Sequence, residues 1–90
     1  MAGEPRPLID YPSVYAFKVM GRAEEGFREW VRQLFKVLLG TEISDDALTE
    51  RQSEGGKYVS VTVEVLLLSE DQRRAIYTRL HQERRVLYYL

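Results

Sequence analysis

The sequence predicts an α+β fold in which a four-stranded antiparallel sheet carries two helices on one face. Three observations lead there. Within the stretch 57–66, residues 58–65 alternate strictly, with Val59, Val61, Val63 and Val65 on one side and Tyr58, Ser60, Thr62 and Glu64 on the other. That is the period of a half-buried antiparallel strand. Gly55 and Gly56, just before it, supply the positive φ of a hairpin turn from an earlier strand. Two amphipathic helical stretches flank this hairpin and provide the second layer that the valines need.

Residues 1–12 hold all three prolines, Pro5, Pro7 and Pro12, and read as a flexible or extended lead-in. Leu8, Ile9 and Tyr11 are the side chains that would pin its end to the body. Residues 13–90 read as a single domain. In residues 14–20, Tyr15, Phe17 and Val19 oppose Ala16, Lys18 and Met20, which gives strand one with the aromatic set facing the core. Gly21 is expected to end that strand in a sharp turn.

Residues 24–39 form the first helix. Phe27, Trp30, Val31, Leu34, Phe35 and Leu38 recur at three- and four-residue spacing, a broad apolar stripe, and both Phe17 and Trp30 are expected between sheet and helix. Glu24 and Glu25 would complement the helix dipole at its start and Lys36 at its end. Gly40 suits the C-terminal cap. Gly26 in the first turn costs roughly 1 kcal/mol against alanine, so that turn is expected to fray.

Ser44, Asp45 and Asp46 suit a turn. Residues 48–53 are assigned as strand two because the hairpin requires a partner, and Glu50 and Arg51 suit a sheet edge. The start of this strand stays open within residues 41–50. Ser69 to Gln72 reads as a capping box, with the Gln72 side chain reaching back. The second helix runs to about Gln82 on the stripe Gln72, Ile76 and Leu80, with Arg73, Arg74 and Arg79 largely off it. Residues 86–90 close the chain as strand four. The order βαββαβ with right-handed crossovers is the ferredoxin-like arrangement, sheet order 4-1-3-2, with one sheet face bare.

Composition removes several chemistries. The chain has 90 residues, 44% of them hydrophobic, and a net charge of −1, which argues against binding driven by bulk charge to nucleic acid or anionic membrane. There is no cysteine, hence no thiolate nucleophile or cysteine metal site. A single histidine, His81, excludes a multi-histidine zinc centre. The longest apolar run, residues 65–68, is far short of the ~20 residues of a membrane span. The first residues lack the basic-then-apolar order of a signal peptide, so a cytoplasmic location is expected. No cofactor, metal or catalytic residue is expected.

The blocks Tyr11-Pro12, Phe17-Lys18-Val19-Met20-Gly21, Ser53…Gly56…Tyr58-Val59-Ser60-Val61 and Val86…Leu90 resemble the YbeD-like family of small bacterial proteins. The resemblance covers residues 11–90. It implies a ferredoxin-like fold akin to ACT regulatory domains, and with it a small non-catalytic regulatory or binding module. It carries over no catalytic residue. The connection over residues 41–46 is longer and more acidic than the family pattern.

The remaining constellations have plain structural readings. The pairs Glu24-Glu25 and Asp45-Asp46 fit helix-end and turn roles, because acid–base chemistry needs a shaped pocket. Gly55-Gly56-Lys57 precedes a strand, so it is a turn and not a phosphate loop. Arg73, Arg74, Arg79, Arg84 and Arg85 read as a solvated face. The bare sheet face is the candidate site: Lys18, Tyr58 and Ser60 project from it, with Gly21 and Arg22 at the adjoining turn as further candidates. Expected partners are a protein or a small carboxylate ligand, with a homodimer covering the face as a third expectation. The alternative is an RNA-binding domain using the same face. Against it stand the net charge and a strand one that offers Ala16, Lys18 and Met20 where stacking aromatics would be needed.

Overall fold

A computed structural model describes residues 9–90; the lead-in expected for residues 1–8 lies outside the described residues. The elements are β1 (Ser13–Arg22), α1 (Phe27–Leu39), a single 3₁₀ turn (Asp45–Ala47), β2 (Leu48–Gln52), β3 (Tyr58–Leu67), α2 (Glu70–Gln82) and β4 (Tyr88–Tyr89). The strands lie in the order β2-β3-β1-β4, every pair antiparallel. This is the expected 4-1-3-2 order read from the opposite edge.

β1 and β3 form the long central pair, in register from Ser13 opposite Leu67 to Arg22 opposite Tyr58. Their inward sides bury Phe17 and Val19 on one strand and Val59, Val61, Val63, Val65 and Leu67 on the other. Phe27, Val31, Leu34 and Phe35 of α1, with Ile76 and Leu80 of α2, complete that core. Each such side chain contributes about 1.5–3 kcal/mol of burial. The hairpin turn has the chemistry the sequence predicts, with Gly55 at φ 87° and Gly56 at φ 73°.

Six details differ from the sequence reading. Gly21 does not end β1; it continues the strand opposite Val59. Its missing side chain makes room for the core, since a Cβ there would lie 2.5 Å from Phe27 Cε1 and 2.6 Å from the Arg85 carbonyl oxygen. α1 begins at Phe27, because Gly26 takes a left-handed N-cap conformation with φ 85°, so the first-turn acid is Glu29 and not Glu24 or Glu25. Trp30 is only partly buried, stacked on Phe27 and with the Arg85 guanidinium over its ring.

The other three concern the C-terminal half. Ser69 Oγ accepts from the Gln72 backbone amide as expected, but the Gln72 side-chain Oε1 accepts from the Leu68 amide, one residue earlier than a capping box requires. Arg73 is half-buried against Tyr15 and Tyr77 rather than off the packed stripe. β4 is reduced to Tyr88 and Tyr89, flanked by backbone hydrogen bonds from Leu87 to Met20 and between Leu90 and Lys18.

A cationic, partly apolar open sheet face

The register fixes what the bare face presents. Directly opposed residues of antiparallel strands project to the same side, and the buried valines define the other side. From one end to the other, Val14 lies beside Leu66, Ala16 beside Glu64, and Lys18 beside Thr62 and Thr49. Met20 then lies beside Ser60 and Arg51, with Tyr88 on its other flank, and Arg22 lies beside Tyr58. Lys18, Met20, Arg51, Tyr58 and Ser60 line a shallow hollow of about 200 Å³. Ser60 is 8% exposed and Tyr58 42% exposed, so the hydroxyl is sheltered and the phenol stands at the surface.

Local chemistry holds the hairpin end of this hollow. Ser53 Oγ accepts the Tyr58 amide at 3.0 Å, and the Ser53 amide donates to the Tyr58 carbonyl at 2.9 Å. The Gly56 amide closes the turn onto the Ser53 carbonyl. Tyr58 is thereby fixed at the start of β3, directly across from Arg22.

Electrostatically the face is lopsided. Its strand residues include three cations, Lys18, Arg22 and Arg51, and one carboxylate, Glu64. Among the described residues none of those three cations lies within ion-pair distance of a carboxylate. Elsewhere Arg28, Arg32, Lys36, Arg73, Arg74 and Arg79 have acidic partners, whereas Lys57, Arg84 and Arg85 have none among the described residues. The face also exposes apolar surface at Val14, Leu66 and Tyr88, each more than half exposed. Beyond Leu66 a second hollow of about 440 Å³ is lined by aliphatic side chains including Leu39, Ile43, Leu66 and Leu68, and also by polar ones including Glu42 and Glu64.

Four of the five residues singled out from the sequence, Lys18, Arg22, Tyr58 and Ser60, thus stand on one surface. Gly21 does not join them; it faces Phe27 in the core. Arg51, Tyr88 and the Val14–Leu66 pair were missed as members of the face. Arg51 could have been found by counting back through the hairpin, because Gln52 opposes Val59 and so places Arg51 opposite Ser60.

A different cluster binds α2 to β1. The Tyr11 hydroxyl donates to Glu70 Oε1 at 2.6 Å, Arg73 Nη1 meets Glu70 Oε2 at 3.1 Å, and the Tyr15 and Tyr77 hydroxyls are 3.0 Å apart. The Arg73 guanidinium lies 5.5 Å from the Tyr15 ring centre and 5.4 Å from that of Tyr77. Burial, and then the Tyr15 hydroxyl, push the Tyr77 phenol well above its ordinary pKa. A phenol so hard to ionise is suited to packing and not to proton transfer at neutral pH. His81 is exposed, and its Nδ1 lies 3.2 Å from the Tyr89 hydroxyl. Among the described residues no group of three or more metal-ligating side chains converges, and no helix is long and apolar enough to cross a membrane.

An α+β sandwich of ferredoxin-like topology with one uncovered sheet face is the class that these observations define. The chain belongs to the family described as "Protein of unknown function (DUF493)", which matches residues 6–90, the YbeD-like group that its motifs resemble. It is 32% identical over 74 residues to a UPF0250 protein of Nitrosomonas europaea, covering 82% of this chain and 84% of that one. With a UPF0250 protein of Ralstonia nicotianae it shares 37% identity over 73 residues, 81% and 74% of the two chains. The solution structure of protein HP0495 from H. pylori has the same fold, with a TM-score of 0.70 at 18% identity over 100% of this chain and 98% of that one.

Proposed function

We propose that this protein is a small non-catalytic binding module, regulatory in the manner of ACT-like domains and working in the cytoplasm, whose working surface is the open sheet face. The observation that carries the reading is the convergence of Lys18, Arg22, Arg51, Tyr58 and Ser60 on a surface that neither helix covers. An ammonium, two guanidiniums, a phenol and a hydroxyl together can hold a carboxylate through charge-assisted hydrogen bonds, and a merely solvated face has no use for that combination.

An RNA-binding reading has one observation in its favour: Tyr58 and Tyr88 are both exposed on this face and could stack on bases. Against it, the aliphatic side chains of Val14 and Leu66 gain nothing from bases or phosphates. The test is capture of partners from the native cell extract by the wild-type chain and by Lys18→Ala and Tyr58→Ala. Both variants should melt within ~0.5 kcal/mol of wild type, as surface changes usually do, and should lose the captured partner. If both fold normally and keep every partner, the face is only a surface.

A further inference from the structure

Resting on that reading, we infer that the occupant of the open face is a segment of another protein that carries both carboxylates and apolar side chains, and not a second copy of this chain or a nucleic acid. The charge pattern disfavours the second copy. Two such faces pressed together by two-fold symmetry would bring six cations, Lys18, Arg22 and Arg51 from each, against only two copies of Glu64. Like charges brought together at an interface core are repulsive and costly to desolvate. The three cations instead ask for external carboxylates, since none has an acidic partner among the described residues.

The apolar pattern supplies the second half. The cations are clustered toward one end of the β1–β3 pair, and Val14 and Leu66 form a cross-strand aliphatic pair at the other, 69% and 54% exposed. Leu66 also lines the 440 Å³ hollow, where Leu39, Ile43 and Leu68 add aliphatic wall past the edge of the face beside the carboxylates Glu42 and Glu64. A phosphodiester chain matches the cationic end alone, and a free carboxylate metabolite fills only the 200 Å³ hollow. A peptide with carboxylates at one end and aliphatic side chains at the other matches both. In extended form at about 3.3 Å per residue, roughly six residues bridge the ~20 Å from Val14 to Met20.

The full chain, labelled with ¹⁵N, is titrated with four probes: a synthetic peptide of about twelve residues with glutamates in one half and leucines in the other, the same peptide with glutamine replacing glutamate, an oligouridylate, and free glutamate. The glutamate–leucine peptide should shift amides along both ends of the face, from Val14 and Leu66 to Met20, Arg51 and Tyr58. The glutamine peptide, and a triple variant Lys18→Ala, Arg22→Ala, Arg51→Ala shown by its melt to be folded, should each weaken the effect about tenfold, the combined loss of several exposed charge pairs. Added salt should weaken it too. Shifts at the cationic end with oligouridylate or glutamate but not with the peptide overturn the inferred partner and leave the binding face standing. Silence with all four probes overturns both.

Discussion

Gly21 and Phe27 meet so closely that no side chain can stand between them: a Cβ on Gly21 would lie 2.5 Å from Cε1 and 2.7 Å from Cζ of the Phe27 ring. The Arg85 carbonyl, at 2.6 Å from the same point, closes the third side. The glycine is therefore where α1 and the segment leading to β4 close on the central strand. Gly21→Ala should destabilise by about 1–3 kcal/mol through overpacking, because a backbone carbonyl cannot swing aside as a side-chain tip can. A melt equal to wild type would mean that the ring and the Arg85 segment shift without cost.

Phe17 and Trp30 should respond unequally to truncation. Phe17 is fully buried, its ring 4.7 Å from Tyr15, 5.0 Å from Tyr77 and 5.5 Å from Phe35, centre to centre. Phe17→Ala should cost about 3–5 kcal/mol, a large share of a small domain's stability. Trp30 on α1 stacks on Phe27 and has the Arg85 guanidinium 5.0 Å from its ring centre. Trp30→Ala removes that stack and leaves no closed cavity, so its cost should be nearer 1–2 kcal/mol. Denaturant unfolding of the two variants side by side reads the difference, and an equal loss would place Trp30 in the core.

The sheet and its order were legible because β3 and the outward half of β1 obey a strict period, and period is a local property. Gly21 misled because a strand-ending glycine and a close-approach glycine look alike in sequence; only Phe27 and Arg85, brought in by the fold, separate them. Trp30 sits at helical spacing within the apolar stripe, yet it is left partly in water, which spacing alone does not show. Arg73 reads as largely off the stripe Gln72, Ile76 and Leu80, whereas its guanidinium lies over two tyrosines. On the open face, Lys18, Tyr58 and Ser60 followed from alternation alone. Arg51 needed only the hairpin register counted back from Val59, whereas Tyr88 required the register of β4, which so short a strand does not announce.

Arg73 should prove a packing residue with a specific shape. Among the described residues its Nε is buried without a hydrogen-bond partner, while Nη1 meets Glu70 and the guanidinium lies against Tyr15 and Tyr77. Arg73→Lys keeps the charge but loses the planar group that lies over the two rings, and is not a conservative change at such a site. Arg73→Lys and Arg73→Ala should therefore both lower the melting temperature, with lysine restoring little of what alanine loses. Full recovery with lysine would show that the ion pair to Glu70, rather than the aromatic contact, holds α2 to β1.

The acid side of the stability profile should be set in part by Glu29. Hydrogen bonds from Arg32 and then from Gln33 hold its carboxyl at about 2, below the ordinary 4.5. The same group in the unfolded chain titrates near its ordinary value, so between the two the unfolded state binds the extra proton. Stability therefore rises with pH across that window: Glu29's contribution is complete above about 4.5 and is lost as pH falls toward 2. Glu42, lowered by Lys36, and Glu70, lowered chiefly by the Tyr11 hydroxyl, act in the same direction. Glu29 is exposed to solvent, so salt should shrink its share. Melts of wild type and Glu29→Gln from pH 7 down to about 2 should converge as the acid limit is approached, with the variant's profile the flatter. Parallel profiles would show that the Glu29–Arg32–Gln33 group persists only as surface geometry and adds nothing to folding.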